Sequence, residues 1–343
     1  MNRLGELVGK ALSFPGVSAV LSPLARGRGV IFRLHRLADP ERGTPGRDPE
    51  LFRHVLAYLR EQRCELLPLS ELVTRALGDG PPLRRAVAFT MDDGFVDQAT
   101  IGAPLFAEFD CPVTTFVTTG FLDRKLWFWW DKIEYVFLRS ARRSLSVKFG
   151  DSDLQYSWDN ESQRDLAVRD FTERCKIVTD DEKHAGIANL AVAAEVDLPE
   201  GAPLEYEPMS WDQLRACEAN GMTFGPHSVT HPILAQATDE QSWSEIEGSL
   251  ARLRAEAANP VPILAYPNGR WRDFSQREID NLKRAGYLAA VITECRYVSR
   301  SAAKADSDER FKLGRFGNAN SLTYATRVIT GAERLRLMLW KAE

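Results

Sequence analysis

The sequence predicts an α/β fold, a distorted (β/α) barrel of about seven strands with a mainly helical insertion. Short segments rich in Val, Ile, Phe and Thr alternate with helical segments, which favours parallel strands joined by right-handed crossovers. Polar side chains suited to catalysis also follow the ends of several predicted strands, as they do in barrel proteins. These side chains are His35, Asp92, Asp93, His227 and Asn268.

The first third of the chain alternates strands and helices. Strands are predicted at residues 29–36, 85–91 and 112–118, and helices at 49–63, 70–77 and 99–109. Leu51, Val55 and Leu59 recur at helical spacing and indicate the buried face of the first helix. A Ser-Glu signal at Ser70 is expected to cap the second helix.

A long irregular segment interrupts this alternation. Residues 121–208 contain an aromatic run at 127–130 and helical patterns at 161–176 and 180–195, and they are predicted to form a helical lobe. The aromatic run is open to two interpretations, packing of the lobe onto its parent domain or stacking on sugar rings or lipid head groups. Beyond the lobe, helices are predicted at 209–220, 239–257, 275–285 and 322–341, and strands from 222 and at 261–266, 287–293 and 311–316.

The predicted organisation is therefore a helical lead-in at residues 1–28 and one domain at 29–343, interrupted at about 121–208. With 44% hydrophobic residues the chain can form a large core. A net charge of −4 argues against a nucleic-acid partner. The oligomeric state is not predicted.

Cysteine usage and the N-terminal segment bear on location. Five scattered cysteines, with no Cys-x-x-Cys pair, are typical of free thiols in a reducing compartment. Residues 11–24 are modestly apolar, but Pro15 and Pro23 break them and they are too short to span a membrane. We therefore expect a cytoplasmic protein without a transmembrane segment, with peripheral membrane contact through residues 11–24 as the alternative.

Two adjacent carboxylates end the strand RAVAFTMDDG, at Asp92 and Asp93. Because side chains diverge after a strand, one carboxylate could hold a metal while the other moves a proton. The alternative is an Asp-Asp-Gly turn whose carboxylates accept hydrogen bonds from backbone amides.

Two histidines follow the next relevant strand, in MTFGPHSVTHP. His227 and His231 are four residues apart, so on one helical turn both imidazoles would face the same ion. Pro232 disfavours helix at His231 and should end the turn there. One carboxylate and two imidazoles leave positions open for water and substrate, as catalytic zinc sites require.

The motifs TMDDG, HSVTH and AYPNG, in this order, resemble those of the polysaccharide deacetylase (NodB homology) family, carbohydrate esterase family 4. The resemblance covers about residues 30–315 and leaves the insertion unmatched. It implies a NodB-like barrel and a metal-dependent hydrolase that removes N-acetyl groups from an amino sugar in bacterial surface polysaccharide or glycan biosynthesis. The implied partner is an N-acetylated carbohydrate.

The resemblance also implies roles for individual residues. Asp93, His227 and His231 would hold the metal, and Asp92 would be the general base. A base must reach the attacking water without being a ligand, and the neighbouring carboxylate suits that requirement. The backbone amide of Asn268 would stabilise the developing oxyanion. Tyr266 in the same motif would contact substrate.

Two departures from the family pattern change the expected site. Ala265 stands where many members have an arginine, so the cation that steadies Asp92 must be absent or come from elsewhere, and Arg315 is one candidate for that role or for substrate binding. No histidine follows His231, whereas the family's general acid usually lies near the C-terminus. The chain thus resembles circularly permuted deacetylases, in which His35 would be the general acid. Otherwise His35 is a histidine in a polar turn.

The metal and the reaction each have alternatives. Zn²⁺ is expected, but Co²⁺, Ni²⁺ and Fe²⁺ suit the same ligands. A non-sugar amide could be the substrate on the same fold, or the protein could bind carbohydrate without catalysis. Two histidines and one carboxylate also bind iron in oxygenases, but a second adjacent aspartate favours hydrolysis.

Overall fold

The structure is a computed structural model that describes residues 22–300, 307–317 and 321–340. Most of the predicted lead-in, residues 1–21, lies outside the described residues. The described chain begins with a 3₁₀ turn at Ser22–Ala25 and enters its first strand at Arg28.

A mostly parallel sheet forms the centre of the molecule. The strands of the described ranges are β1 (Arg28–Leu34), β2 (Glu65–Leu66), β3 (Ala86–Asp93), β4 (Val113–Val117), β5 (Ser144–Phe149), β6 (Ser152–Ser157), β7 (Thr223–Pro226), β8 (Ile263–Ala265), β9 (Ala289–Val291), β10 (Val298–Ser299) and β11 (Phe316–Gly317). Seven of them form one sheet in the order β10-β1-β3-β4-β7, with β11 beside β1 and β2 beside β3. In this sheet only the β1–β10 pair is antiparallel.

The path of strands curves back towards its start. β8 and β9 form a separate parallel pair. Single parallel bridges link Phe224 to Pro260 on one side of this pair and Val291 to Leu313 on the other. The parallel pairing therefore runs from β7 through β8 and β9 to the segment that carries β11, which agrees with the predicted barrel-like order although the strands do not close into one continuous sheet.

Alternate residues of the central strands enter different parts of the core. Ile31 of β1 and Ala88 of β3 pack in one apolar cluster with residues of β8 and β9. Phe32 and Phe89 pack in another cluster, together with the buried face of helix Pro49–Glu61. All eight residues of β3 are buried, as expected for a strand covered on both faces.

Most predicted helices are present, and some boundaries differ. The helices of the described ranges are Pro49–Glu61, Leu69–Leu77, Ala103–Glu108, Thr119–Leu122, Trp129–Arg139, Glu161–Cys175, Asp180–Ala194, Trp211–Ala219, Asp239–Glu256, Gln276–Ala285, Leu322–Ile329 and Ala332–Trp340. The helix predicted from Ser70 begins one residue earlier, after Pro68, so the cap predicted at Ser70 is wrong. The helix predicted at 99–109 starts as a π-helix, Gln98–Gly102.

The C-terminal part differs more from the prediction. The single helix predicted at 322–341 is two helices, because Gly331 adopts φ 83° between them. A side chain at Gly331 would lie 2.7 Å from Leu24 Cβ, so glycine is required by both conformation and space. The strand predicted at 311–316 is reduced to a bridge at Leu313 and to β11 at Phe316–Gly317, after a 3₁₀ turn at Asp308–Phe311.

Residues 129–194 pack around their own apolar cluster, which includes Trp129, Phe137 and Phe171. The helices predicted at 161–176 and 180–195 are confirmed. The β5–β6 hairpin was not predicted, although Leu145 and Val147 alternate with exposed residues. Trp127 and Phe128 instead join the main core, so the aromatic run connects the two clusters.

None of the helices in the described ranges is long and apolar enough to cross a bilayer.

Candidate active site

The carboxylate of Asp93 and the imidazoles of His227 and His231 meet at one end of the sheet. The Asp93 Oδ1 atom lies 3.5 Å from His227 Nε2 and 3.8 Å from His231 Nε2. One ligand atom from each of the three residues lies within 4.8 Å of the others, and all three residues are buried. Asp93 is the last residue of β3, and the histidines follow β7, which is separated from β3 by β4 in the sheet.

The two histidines do not share a helical turn, so that prediction is wrong. Residues 227–231 form a loop in which Ser228 and His231 have φ near 63° and 62°. The His231 amide donates to Ser228 Oγ at 3.0 Å, and Glu245 accepts hydrogen bonds from the amides of Val229 and Thr230. These bonds hold the loop in a conformation that turns both imidazoles towards Asp93.

Hydrogen bonding fixes the orientation of His227. Its Nδ1 lies 2.7 Å from the carbonyl oxygen of Ala265, which accepts only if Nδ1 carries the proton. The lone pair of the ring is then on Nε2, the atom that faces Asp93. Ala265, which stands at the position of the family's arginine, thus supplies a backbone carbonyl that orients a metal-type histidine.

His231 packs against the aromatic ring of Trp130. Its ring centroid is 4.6 Å from that of Trp130 and 4.8 Å from that of His227. Burial, followed by the neighbouring His227, lowers the pKa of His231 to about 3. His231 is therefore a neutral imidazole, the form that binds a metal.

The geometry of this trio fits a divalent ion. Ligand atoms about 2.1 Å from a tetrahedral zinc lie about 3.4 Å from one another. The observed separations of 3.5 and 3.8 Å are close to that value. Asp93, His227 and His231 could therefore hold such an ion and leave at least one position open.

Asp92 is bound by Arg315. Nη1 and Nη2 of Arg315 donate to the two carboxylate oxygens of Asp92 at 2.5 and 2.8 Å. Nη1 also donates to Thr90 Oγ1, and Nε donates to the carbonyl of Ile292. Burial alone would raise the pKa of Asp92, but Arg315 and then His227 lower it below the usual carboxyl range, so Asp92 is ionised.

His35 lies on the open side of Asp92. Its Nε2 is 4.0 Å from Asp92 Oδ2, and 44% of its side chain is exposed. It follows β1, which pairs with β3 in parallel register up to Leu34 and Met91. This register places His35 beside the end of the strand that carries both aspartates.

Gln98 connects the backbones around this pair. Its side-chain nitrogen donates to the carbonyl oxygens of His35, at 2.6 Å, and of Asp92, while Oε1 accepts from the Gly94 amide at 3.2 Å. The side chain is fully buried in the first turn of the π-helix. Nothing in the sequence pattern singles out Gln98, because its partners are backbone atoms, which carry no residue-specific signal.

A cavity of about 580 Å³ opens onto these groups. His35, Asp92, Asp93, His227 and His231 line it, as do Tyr266 and Asn268 from the loop after β8. Asn268 has φ 56°, so this loop turns sharply at the cavity. The cavity is within the size range of small-molecule sites.

The two predicted substrate contacts differ in position. Tyr266 stacks on Phe274 at 4.2 Å and borders the cavity, and its hydroxyl has no hydrogen-bond partner among the described residues. Arg315 is fully buried and is not among the residues that line the cavity, and its role as a substrate contact stays a prediction. Its guanidinium faces Asp92, which is the other of its two predicted roles.

The fold and the site together define an α/β protein with a mostly parallel sheet and a buried acid–histidine cluster suited to a divalent ion. The chain matches the model of the polysaccharide deacetylase family over residues 79–290, and it belongs to this family. Membership implies a hydrolase that acts on the amide of N-acetylated sugars. The match begins after β1 and ends before β11, so His35 and Arg315 lie outside it.

Solved structures share the fold at low sequence identity. The deacetylase PplD of Streptococcus pyogenes is 17% identical with a TM-score of 0.54, over 86% of this chain and 95% of that one. IcaB from Ammonifex degensii is 14% identical with a TM-score of 0.54, over 89% and 97%. The BpsB deacetylase domain from Bordetella bronchiseptica is 12% identical with a TM-score of 0.50, over 84% and 95%. A comparison with curated proteins found no match.

Proposed function

We propose that this protein is a metal-dependent N-deacetylase that hydrolyses the acetamido group of an amino sugar in bacterial surface polysaccharide or glycan synthesis. The observation that carries the proposal is the convergence of three metal-type ligands, an ionised second carboxylate and a histidine on one cavity. Family membership and the fold of solved deacetylases support it.

Each residue has a distinct task in the proposed reaction. Asp93, His227 and His231 hold a divalent ion, most readily Zn²⁺, which when bound acidifies a water and polarises the acetyl carbonyl. Asp92 removes the proton from the attacking water, since it is adjacent to the ligand set and is not part of it. Arg315 keeps Asp92 ionised and fixes its orientation.

His35 is assigned as the general acid, which donates a proton to the departing amine. Its Nε2 is near Asp92 and its side chain is exposed to the cavity, so it can donate a proton to the departing amine. Gln98 holds the backbone of His35 beside that of Asp92 and acts as a positioning residue. The backbone amide of Asn268 is assigned to the oxyanion that develops on the acetyl group.

A carbohydrate-binding protein without catalysis would be favoured if Asp92 lacked the cation that the third-motif arginine provides in many family members. Arg315 supplies a guanidinium to Asp92 from another part of the chain, which argues against this alternative. The cytoplasmic location stays a prediction, with which the free thiols of the five cysteines agree.

Acetate release tests the proposal. The zinc-loaded protein should release acetate from N-acetylglucosamine oligosaccharides and leave cyclic imides and ureides intact, and Asp92→Asn should abolish the release. Hydrolysis of the imide or ureide alone would move the reaction to a non-sugar amide. Oligosaccharide binding without acetate release, unchanged in Asp92→Asn, would show a binding protein.

A further inference from the structure

Three cationic side chains line the cavity outside the proposed catalytic groups. Arg33 lies on β1, two residues before His35. Lys176 follows helix Glu161–Cys175 of the lobe, and Arg270 lies in the loop after β8. The cations thus come from three separate parts of the chain and meet at one cavity.

The carboxylates of the cavity do not balance these cations. The acidic lining residues are Asp92, Asp93 and Glu294. Asp92 is already neutralised by Arg315. Asp93 and Glu294 remain, so among the described residues that line the cavity three cations face two uncompensated carboxylates.

Arg33 has the least compensated charge of the three. Its side chain is half-buried, and its Nε is buried without a hydrogen-bond partner among the described residues. Burial and the neighbouring Arg315 guanidinium both lower the pKa of Arg33, whereas Asp92 raises it less. A buried N–H donor without a partner is costly, and an anionic ligand at the guanidinium would offset part of that cost.

Lys176 and Arg270 share the carboxylate of Glu173. Glu173 lies 2.7 Å from Lys176 Nζ and 3.4 Å from Arg270 Nη1, and it also faces Arg272 at 3.8 Å. Asp273 lies 3.9 Å from Arg272, so two carboxylates face these three cations and one positive charge is left over. Arg272 belongs to the same cluster but does not line the cavity.

We propose that the cavity recognises an N-acylated amino sugar bearing a phosphate or carboxylate group, which is bound by the cations of the cavity lining, Arg33, Lys176 and Arg270. Guanidinium groups bind both anions through paired N–H donors. This inference rests on the proposed function for the sugar, and adds the charge of the substrate. It predicts a sugar-phosphate or acidic-sugar substrate in preference to a neutral glycan.

Matched substrates test the inference on the metal-loaded protein. The probes are N-acetyl-α-glucosamine 1-phosphate, the methyl glycoside of N-acetylglucosaminuronic acid, and neutral methyl N-acetyl-α-glucosaminide. We expect kcat/KM for acetate release to favour at least one anionic probe by roughly tenfold or more over the neutral one, since hydrogen bonds between charged groups are the stronger ones. Comparison of the phosphate and the carboxylate probes shows which anion the cavity recognises.

Variants separate the cavity from general charge effects. Arg33→Gln and Lys176→Gln should each reduce the anionic preference several-fold, and Arg272→Gln, an equal change of charge outside the cavity, should leave it intact. Added salt should weaken the preference in the parent. A preference retained in both cavity variants would assign it to the metal ion itself and overturn the inference, as would equal turnover of all three probes.

Binding measurements distinguish this inference from the proposed function. If no probe releases acetate, calorimetric titration replaces kinetics. Tighter binding of an anionic probe that depends on Arg33 and Lys176 would uphold the anion site while the deacetylase proposal fails. Acetate release without any anionic preference would leave the deacetylase proposal standing and reject the anion site. If neither anionic probe binds, the anion site is rejected as well.

Discussion

The buried guanidinium of Arg315 binds both carboxylate oxygens of Asp92, although the two residues are 223 positions apart in the sequence. The carboxylate is accordingly anionic, and its orientation is fixed before substrate arrives. The pair connects the segment around β11 to the end of β3, at the point where the proposed chemistry occurs.

Removing the cation should change both stability and the pH profile. In Arg315→Met the buried Asp92 loses its partner, which we expect to cost about 3–5 kcal/mol of the free energy of unfolding. Burial would then raise the pKa of Asp92 rather than leave it depressed, so the acid limb of kcat/KM should move to higher pH. Chemical denaturation and pH–rate profiles measure the two effects.

The pH dependence of stability follows from the same lowered pKa of Asp92. In the parent the pKa of Asp92 is lowered on folding, so its stabilising contribution is present above the ordinary carboxyl pKa and is lost only as pH falls through the lowered value. Arg252→Met, which breaks a bidentate pair with Asp123 away from the cavity, is the matched control. An unshifted acid limb in Arg315→Met would refute the assignment of Asp92 as the base.

Metal binding should depend on the two loop histidines. We expect His227→Ala and His231→Ala to bind little metal, while the parent binds about one divalent ion per chain. Elemental mass spectrometry after dialysis measures the content, and a chelator should abolish acetate release reversibly. His184→Ala, which removes an exposed histidine of the lobe, should keep the full metal content. Equal metal in all four proteins would exclude this site.

His35→Ala should reduce turnover by about 10²–10⁴ without loss of metal, because general acids typically contribute this much. Its side chain is exposed beside Asp92, so the fold should tolerate the change. Acetate release and metal content are measured together, with His54→Ala on the exposed face of helix Pro49–Glu61 as control. A parallel loss of metal would make His35 a ligand instead.

Gln98→Met should lower kcat and leave KM and metal content nearly unchanged. Three backbone groups lose their hydrogen-bond partner, which we expect to cost about 1–3 kcal/mol of unfolding free energy. The side chain does not line the cavity, so substrate affinity should persist. Gln155→Met on the exposed β5–β6 hairpin is the control. A rise in KM with unchanged kcat would argue against a role in placing His35.

The sequence was sufficient to predict which strands carry site residues, because apolar strand runs stop abruptly at Asp92 and at His227. It failed for the path between His227 and His231, since the left-handed φ of Ser228 and His231 replaces the expected helical turn. An i,i+4 spacing is compatible with both paths, and the hydrogen bonds with Ser228 and with the distant Glu245 stabilise the loop.

Long-range pairs were beyond sequence reasoning of this kind. Nothing local to Arg315 shows that it would contact Asp92 rather than substrate, and Gln98 bonds only to backbone atoms. The β5–β6 hairpin is a different case, because Leu145 and Val147 alternate with exposed residues and this period was present in the sequence.

The position of β1 in the sheet has a practical consequence for dissecting the protein. β1 pairs with β3 through six residues and with β10 and β11 on its other side. A fragment limited to the family-matching residues 79–290 would lack β1, β10 and β11. It would expose the edge of β3 from Ala86 to Met91, directly before the two aspartates. The family-matching range therefore omits strands of the sheet on which the site is built, and we expect truncation to that range to give an aggregation-prone chain rather than a minimal enzyme.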